Sequence, residues 1–191
     1  DYDHLLVAPR SLRRKLEEMI DREAEVARSG KEARIIIKAN AVTHPSVIQA
    51  LYRASQAGVK IDLIIRGICC LRPGLPNISE NIRVRSIIGR LLEHSRLFYF
   101  QNDGSEEMYI GSADIMERNL DRRVEVLTPI LDAQLRQMLM EKVLQSQLKD
   151  NQLSFELLSD GTYERIRPRE RAEELYNSQI AMLQAYSEAS N

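Results

Sequence analysis

Apolar and polar positions along the chain follow two periods, and each stretch declares one of them. Between Pro9 and Ser29 the residues Leu12, Leu16, Met19, Ile20 and Ala27 recur at helical spacing, with Gly30 just beyond, which predicts a helix with one buried stripe. Arg34 to Lys38 holds three consecutive isoleucines and is too short for a helix, so it reads as a buried strand. Pro45 to Ala57 is a second helix with Val47, Ile48, Leu51 and Ala54 inward and Gly58 as its stop, and Lys60 to Ile65 is another strand. This strand-helix-strand unit points to an α/β fold. Ligands gather at the carboxyl ends of such strands, and Asn40 and Arg66 lie just past them.

The segment GICCLRPGLPN crowds two prolines and two glycines into a loop. Strand character returns at Asn81 to Ile88, followed by a turn or short helix at Gly89 to Glu93 and a strand at Leu97 to Gln101. Asn102-Asp103-Gly104 turns the chain into Glu107 to Ile110, and Arg123 to Thr128 is a further strand. Asp132 to Lys149 reads as an amphipathic helix capped by Asp132, with Leu135, Met138, Leu139 and Val143 inward. Ser154 to Leu158 and Thr162 to Arg165 flank Asp160-Gly161 as a small hairpin. Pro168 opens a last helix to about Ser187, whose stripe of Ala172, Leu175, Tyr176, Ile180 and Leu183 is expected to pack on its own domain, with another chain or a further domain as the alternative. The fold expected is a mixed sheet flanked by helices, with residues 151–191 forming a C-terminal hairpin and helix packed on it.

At 191 residues and 43% hydrophobic, the chain supports one sizeable core, and 1–191 is expected to be a single domain. A net charge of −1 supplies no global field for nucleic acid or an anionic membrane, so anion binding must come from local patches. One such patch is visible: from Arg66 to Arg123 all nine basic residues are arginine, although eight acidic residues share the stretch. A few of these are expected to grip phosphate bidentately, the rest to form a solvated mixed face. Cys69 and Cys70 are the only cysteines and adjacent, which fits a reducing compartment better than a disulfide. No apolar run approaches membrane-spanning length and the first residues carry no signal-peptide pattern. The cytoplasm is the expected location, with a peripheral position at the inner membrane as the alternative. A chain that starts without Met, directly before a structured element, suggests a piece excised from a longer protein.

The candidate chemistry lies between Ser86 and Glu125. His94 stands inside GRLLEHSRLFYF, and Glu125 follows the stretch YIGSADIMERNLDRRVEV. A carboxylate on one imidazole nitrogen fixes the tautomer and aims the other nitrogen at a reacting group, so His94 and Glu125 are the expected catalytic pair. The turn Gly111-Ser112-Ala113-Asp114 offers backbone N–H groups and a hydroxyl to phosphate oxygens. Each piece alone has an ordinary structural explanation, a satisfied histidine or a capped turn. Their order along the chain is what points to phosphoryl chemistry.

RGICCLRPG at 66–74, LEHSR at 92–96, and GSAD with RNLDRRVEV at 111–126 resemble the C-terminal part of bacterial polyphosphate kinase, the large ATP-dependent type. The resemblance extends from HLLVAPRSL through KAN at 38–40 and LYRASQAGVKIDLIIRGIC to the final helix. It implies the second of two phospholipase D-like domains, with the first absent. It also implies that Arg66 is a nucleotide-phosphate arginine and His94 the histidine that contacts ATP phosphates. The phosphorylated histidine and the arginines associated with magnesium would belong to the absent domain, so no metal ligand is expected here. Arg96, Ser112, Asp114 and Asn119, with Arg118, are expected to line the pocket. The implied partners are ATP or ADP, inorganic polyphosphate, magnesium held from outside the chain, the upstream domains, and further copies of the full-length protein. The motif of the broader phospholipase D superfamily is His, Lys two residues on, and Asp five beyond. Here those positions are His94, Arg96 and Gln101, which argues against autonomous phosphodiesterase action. A dimeric phosphodiesterase or nuclease and a binding module without turnover are the competing readings.

Overall fold

The computed structural model describes residues 4–168 and 174–188. In chain order the elements are β1 (Leu6–Ala8), α1 (Leu12–Arg28), β2 (Arg34–Ala39), α2 (Pro45–Gln56), β3 (Lys60–Ile65), β4 (Ile82–Ile87), β5 (Arg96–Phe100), β6 (Glu107–Gly111), β7 (Glu125–Pro129), α3 (Ala133–Leu139), α4 (Ser146–Lys149), β8 (Ser154–Leu157), β9 (Tyr163–Arg165) and α5 (Ser178–Glu188). The strands form one sheet in the order β1-β7-β6-β5-β2-β3-β4-β8-β9. β2, β3 and β4 run parallel, and every other neighbour is antiparallel. The result is the mixed α/β sheet that the two periodicities predict.

Side chains of successive strand residues point to opposite faces, and the two faces have separate cores. Ile35 and Ile37 of β2 join Leu12, Leu16, Ile20, Leu51 and Ala54 beneath α1 and α2. Ile36 joins Ile64, Leu97, Tyr99, Val143 and Leu144 beneath the C-terminal helices. Burying both faces explains why β2 reads as an unbroken apolar run. Within α1 the stripe also includes Glu23, fully buried, whose carboxylate accepts from the Asn102 backbone N–H at 2.6 Å.

One element was not foreseen, and two expectations are corrected. Leu6–Ala8 forms an edge strand against β7, which its short sequence did not announce. The Asp132–Lys149 helix is interrupted by a π-helical stretch at Met140–Gln145. Asp132 does cap it, accepting from Leu135 N at 2.8 Å. The wider turn shifts the phase of the stripe, so Leu135 and Met138 face solvent while Val143 and Leu144 are buried. The last helix starts at Ser178, and Ala172 of its expected stripe lies outside the described residues. Leu175, Ile180 and Leu183 are exposed at 62%, 52% and 56%, so the apolar stripe is not what docks α5. Docking is polar. The buried Asp150 carboxylate accepts from Ser178 N and Oγ, both at 2.7 Å, and from the N–H groups of Gln152 and Leu153.

Candidate functional site

Strand direction gathers the candidate residues at one edge of the sheet. The parallel strands β2 and β3 end there with Ala39 and Ile65, β5 begins there with Arg96, β6 ends there with Gly111, and β7 begins there with Glu125. The chain after β2 is then zipped between two other loops. Val42 bridges Cys69 on one side and Ile115 on the other, with Val42 N donating to Ile68 O at 2.9 Å and Thr43 N to Ile115 O at 2.8 Å. Gly67 approaches so closely that a Cβ there would lie 2.8 Å from Asn40 O. Only glycine fits without moving backbone.

Asp114 is the hub of the edge. Its carboxylate accepts from Asn40 N at 2.7 Å and Asn40 Nδ2 at 3.0 Å, and from Arg96 Nη2 at 3.0 Å and Nε at 3.3 Å. Burial alone would raise this carboxyl, but the hydrogen bonds from Arg96 and Asn40 outweigh it and hold it below the usual carboxylate range. Asn40 Oδ1 in turn accepts from Arg66 Nε at 3.1 Å, leaving the rest of the exposed Arg66 guanidinium toward solvent. The remaining Arg96 nitrogen, Nη1, donates to His94 O at 3.0 Å and lies 3.2 Å from His94 Nδ1. Arginine only donates, so Nδ1 carries the lone pair and the ring proton sits on Nε2. Arg66, Asn40, Asp114, Arg96 and His94 thus form one connected chain.

Glu125 stands apart from it. Ser112 Oγ donates to its Oε2 and Asn119 Nδ2 to its Oε1 at 2.6 Å, so it does not hold the His94 ring as expected. The reason is the strand order: β6 separates β5 from β7, a span of about 10 Å at ordinary strand spacing. Glu125 instead ties the start of β7 to the Gly-Ser turn and to the π-helical turn Arg118–Arg122, where Asn119 is buried and Arg118 exposed. The glycine of that turn is obligatory, because a Cβ at Gly111 would stand 1.9 Å from Val126 O. Asn40 was placed beside Arg66 by its strand-end position, but not as the link between Arg66 and Asp114; Lys38, whose side chain is buried beside Glu93, escaped the sequence reading. The signal available for Lys38 was its place in KAN at a strand end.

Of the nine arginines in the basic stretch, Arg72 and Arg85 are taken by backbone carbonyls and Arg122 by Glu117. Carboxylates at this edge are committed as well: Asp114 to Arg96 and Asn40, Glu125 to Ser112 and Asn119, and Asp121 to His44 and Arg13. Among the described residues no three His, Cys, Asp or Glu side chains gather into one cluster. A cavity of about 950 Å³ lies at the opposite edge, lined by residues that include His4, Arg14, Arg22, Glu107 and Arg136. Two of its arginines are paired, Arg22 with Glu107 at 2.8 Å and Arg14 with Glu18 at 2.5 Å. The residues singled out in the sequence lie at the open edge, not in this cavity. No helix of the described residues is long and apolar enough to cross a membrane.

Comparison with known proteins decides the family. Residues 5–179 match the model of the polyphosphate kinase C-terminal domain 2. The chain belongs to that family. A polyphosphate kinase of Synechocystis sp. is 53% identical over 98% of this chain and 26% of its own length, and one of Thermosynechococcus vestitus is 59% identical over 88% and 23%. The crystal structure of polyphosphate kinase from Porphyromonas gingivalis superposes with a TM-score of 0.93 at 38% identity, covering 99% of this chain and 28% of that one. This polyphosphate kinase domain spans about a quarter of the length of those relatives. A phospholipase D family member of Salmonella typhimurium shares the fold, with a TM-score of 0.52 at 18% identity over 72% of this chain and 88% of that one.

Proposed function

We propose that this domain supplies the nucleotide-phosphate-binding half of an active site that reversibly moves the terminal phosphate of ATP onto inorganic polyphosphate. The observation that carries the reading is the chain of contacts from Arg66 through Asn40, Asp114 and Arg96 to His94 at one open sheet edge. Phosphoryl transfer asks a protein chiefly for position and for charge stabilisation. Arg66 offers a planar fork suited to two phosphate oxygens. His94, protonated at Nε2, donates to an oxygen of the transferring phosphoryl group or of leaving ADP, where charge builds. Arg96 fixes the imidazole and adds positive charge behind it. Ser112 and Asn119, held by Glu125, border the same edge.

The phosphorylated histidine and the groups that hold magnesium belong, in this reading, to upstream domains of a longer, oligomeric polypeptide. The isolated chain is therefore expected to bind ATP weakly and to make no polymer. ATP as substrate sets the reaction in the cytoplasm. Autonomous phosphodiesterase action has weaker support: the Arg96 guanidinium is spent on Asp114 and His94, and Gln101 lies at the far end of β5, bonded to Arg34 O.

The test is calorimetric titration of ATP with a polymer synthesis assay on the full polypeptide and its His94→Ala and Arg66→Ala variants. Loss of a donor aimed at developing charge should lower synthesis about a hundredfold. Parental rates in both variants would sink the reading. Cleavage of a phosphodiester without ATP by the isolated chain would favour the phosphodiesterase, and tight binding of tripolyphosphate by it would favour a binding module.

A further inference from the structure

Lys38 is the least expected side chain of the sheet. It follows Ile36 on the second face of the central strand β2, and its side chain is only 2% exposed. Isolated in such a place an ammonium costs several kcal/mol, roughly, unless it is paired and hydrogen bonded. Here it is both. Nζ lies 3.2 Å from Glu93 Oε2 and donates to Ser95 O at 3.3 Å.

Glu93 is held by two further donors from the C-terminal helices. Gln147 Nε2 of α4 donates to its Oε2 at 2.6 Å, and Gln179 Nε2 of α5 donates to its Oε1 at 2.9 Å. Gln179 also clasps the backbone of Leu91 in both directions, accepting from Leu91 N at 2.9 Å and donating to Leu91 O at 2.8 Å. The anchors therefore fall on residues 91, 93 and 95. Leu92 and His94, between them, are exposed, as are the side chains of Leu91 and Ser95, whose anchors are backbone atoms. A segment without regular structure is thus held at 91, 93 and 95, on either side of His94 along the chain.

We propose that Lys38, Glu93 and Gln179 are positioning residues for His94, through which α5 sets where the imidazole stands. This rests on the reading of His94 as a phosphate donor. Arg96 fixes the ring and its tautomer, while the Lys38–Glu93–Gln179 cluster fixes the backbone that carries it. An active-site group displaced by about 1 Å loses up to about a hundredfold in rate. Removal of one of several anchors should lose about tenfold.

The experiment is a double-mutant cycle in the full polypeptide, with Gln179→Leu made alone and on His94→Ala, and the rate of phosphate transfer from ATP to polyphosphate measured for each. Gln179→Leu should lower kcat about tenfold with little change in KM, since a donor that acts on developing charge is felt in the transition state. On His94→Ala the same change should cost less than about twofold, because the group it positions is gone. Lys38→Met provides a second cycle, and thermal melting of each variant establishes that it is folded. Should Gln179→Leu and Lys38→Met leave kcat unchanged, or lower it equally on both backgrounds, the positioning role is overturned. If His94→Ala itself transfers phosphate at the parental rate, it is the functional reading that fails, a result distinct from the first.

Discussion

Replacing Asp114 by Asn perturbs one hub and its consequences can be worked from the contacts. The carboxylate takes hydrogen bonds from two groups of Asn40 and two nitrogens of Arg96, and the two side chains of the ion pair are 10% and 15% exposed. An amide in its place turns one oxygen into a donor, which faces Asn40 or Arg96 donors, and leaves the Arg96 charge without its counterion. Breaking a buried pair costs about 3–5 kcal/mol, and the residual exposure places this one near ~3 kcal/mol. Taking m in urea as roughly 2 kcal/mol per molar, the unfolding midpoint should fall by about 1.5 M with m unchanged. The pH dependence has a definite sign. Since the folded carboxyl titrates below its unfolded value, its contribution is complete above about pH 5 and is lost as pH falls below 4 toward the folded value. The gap between parent and variant must therefore narrow on acidification. A midpoint shift under about 0.3 M at pH 7, or a gap that widens between pH 5 and pH 3, would refute the account of Asp114.

Gly111→Ala should destabilise the domain by about 3 kcal/mol or more, because the added Cβ would stand 1.9 Å from Val126 O and that atom is backbone; a melting temperature within 2 °C of the parent, roughly, would contradict the close approach. Burial pushes the Cys69 thiol up to about 11, whereas Cys70 is exposed. At pH 8 only about a thousandth of Cys69 is thiolate, so iodoacetamide should label Cys70 first by mass spectrometry, and equal labelling would overturn the assignment.

Much of the fold is legible because it depends on local patterns. The three isoleucines of β2, the Pro45 start and Gly58 stop of α2, and Asp132 as a cap are all short-range signals, and each stands where its pattern places it. Patterns failed where contacts elsewhere decide. The phase of α3 and α4 turns on a π-helical stretch, and the start of α5 on the Asp150 carboxylate that receives Ser178. At the site, Arg66, His94, Arg96 and Asp114 were legible from motif resemblance and from strand ends. The pairing of Glu125 with His94 was not, because proximity in sequence order says nothing of the strand inserted between β5 and β7.

The amino-acid order by itself determined the alternation of strands and helices, the family, and which side chains are the candidates for phosphate chemistry, since periodicity and motif spacing are properties of neighbours along the chain. Tertiary structure alone decided who holds whom. Arg96 rather than Glu125 sets the His94 tautomer, and a buried lysine with two glutamines from distant helices secures the segment beneath it. Such partnerships join residues up to 88 positions apart, and they form only when strand order and helix docking bring those positions within hydrogen-bonding distance.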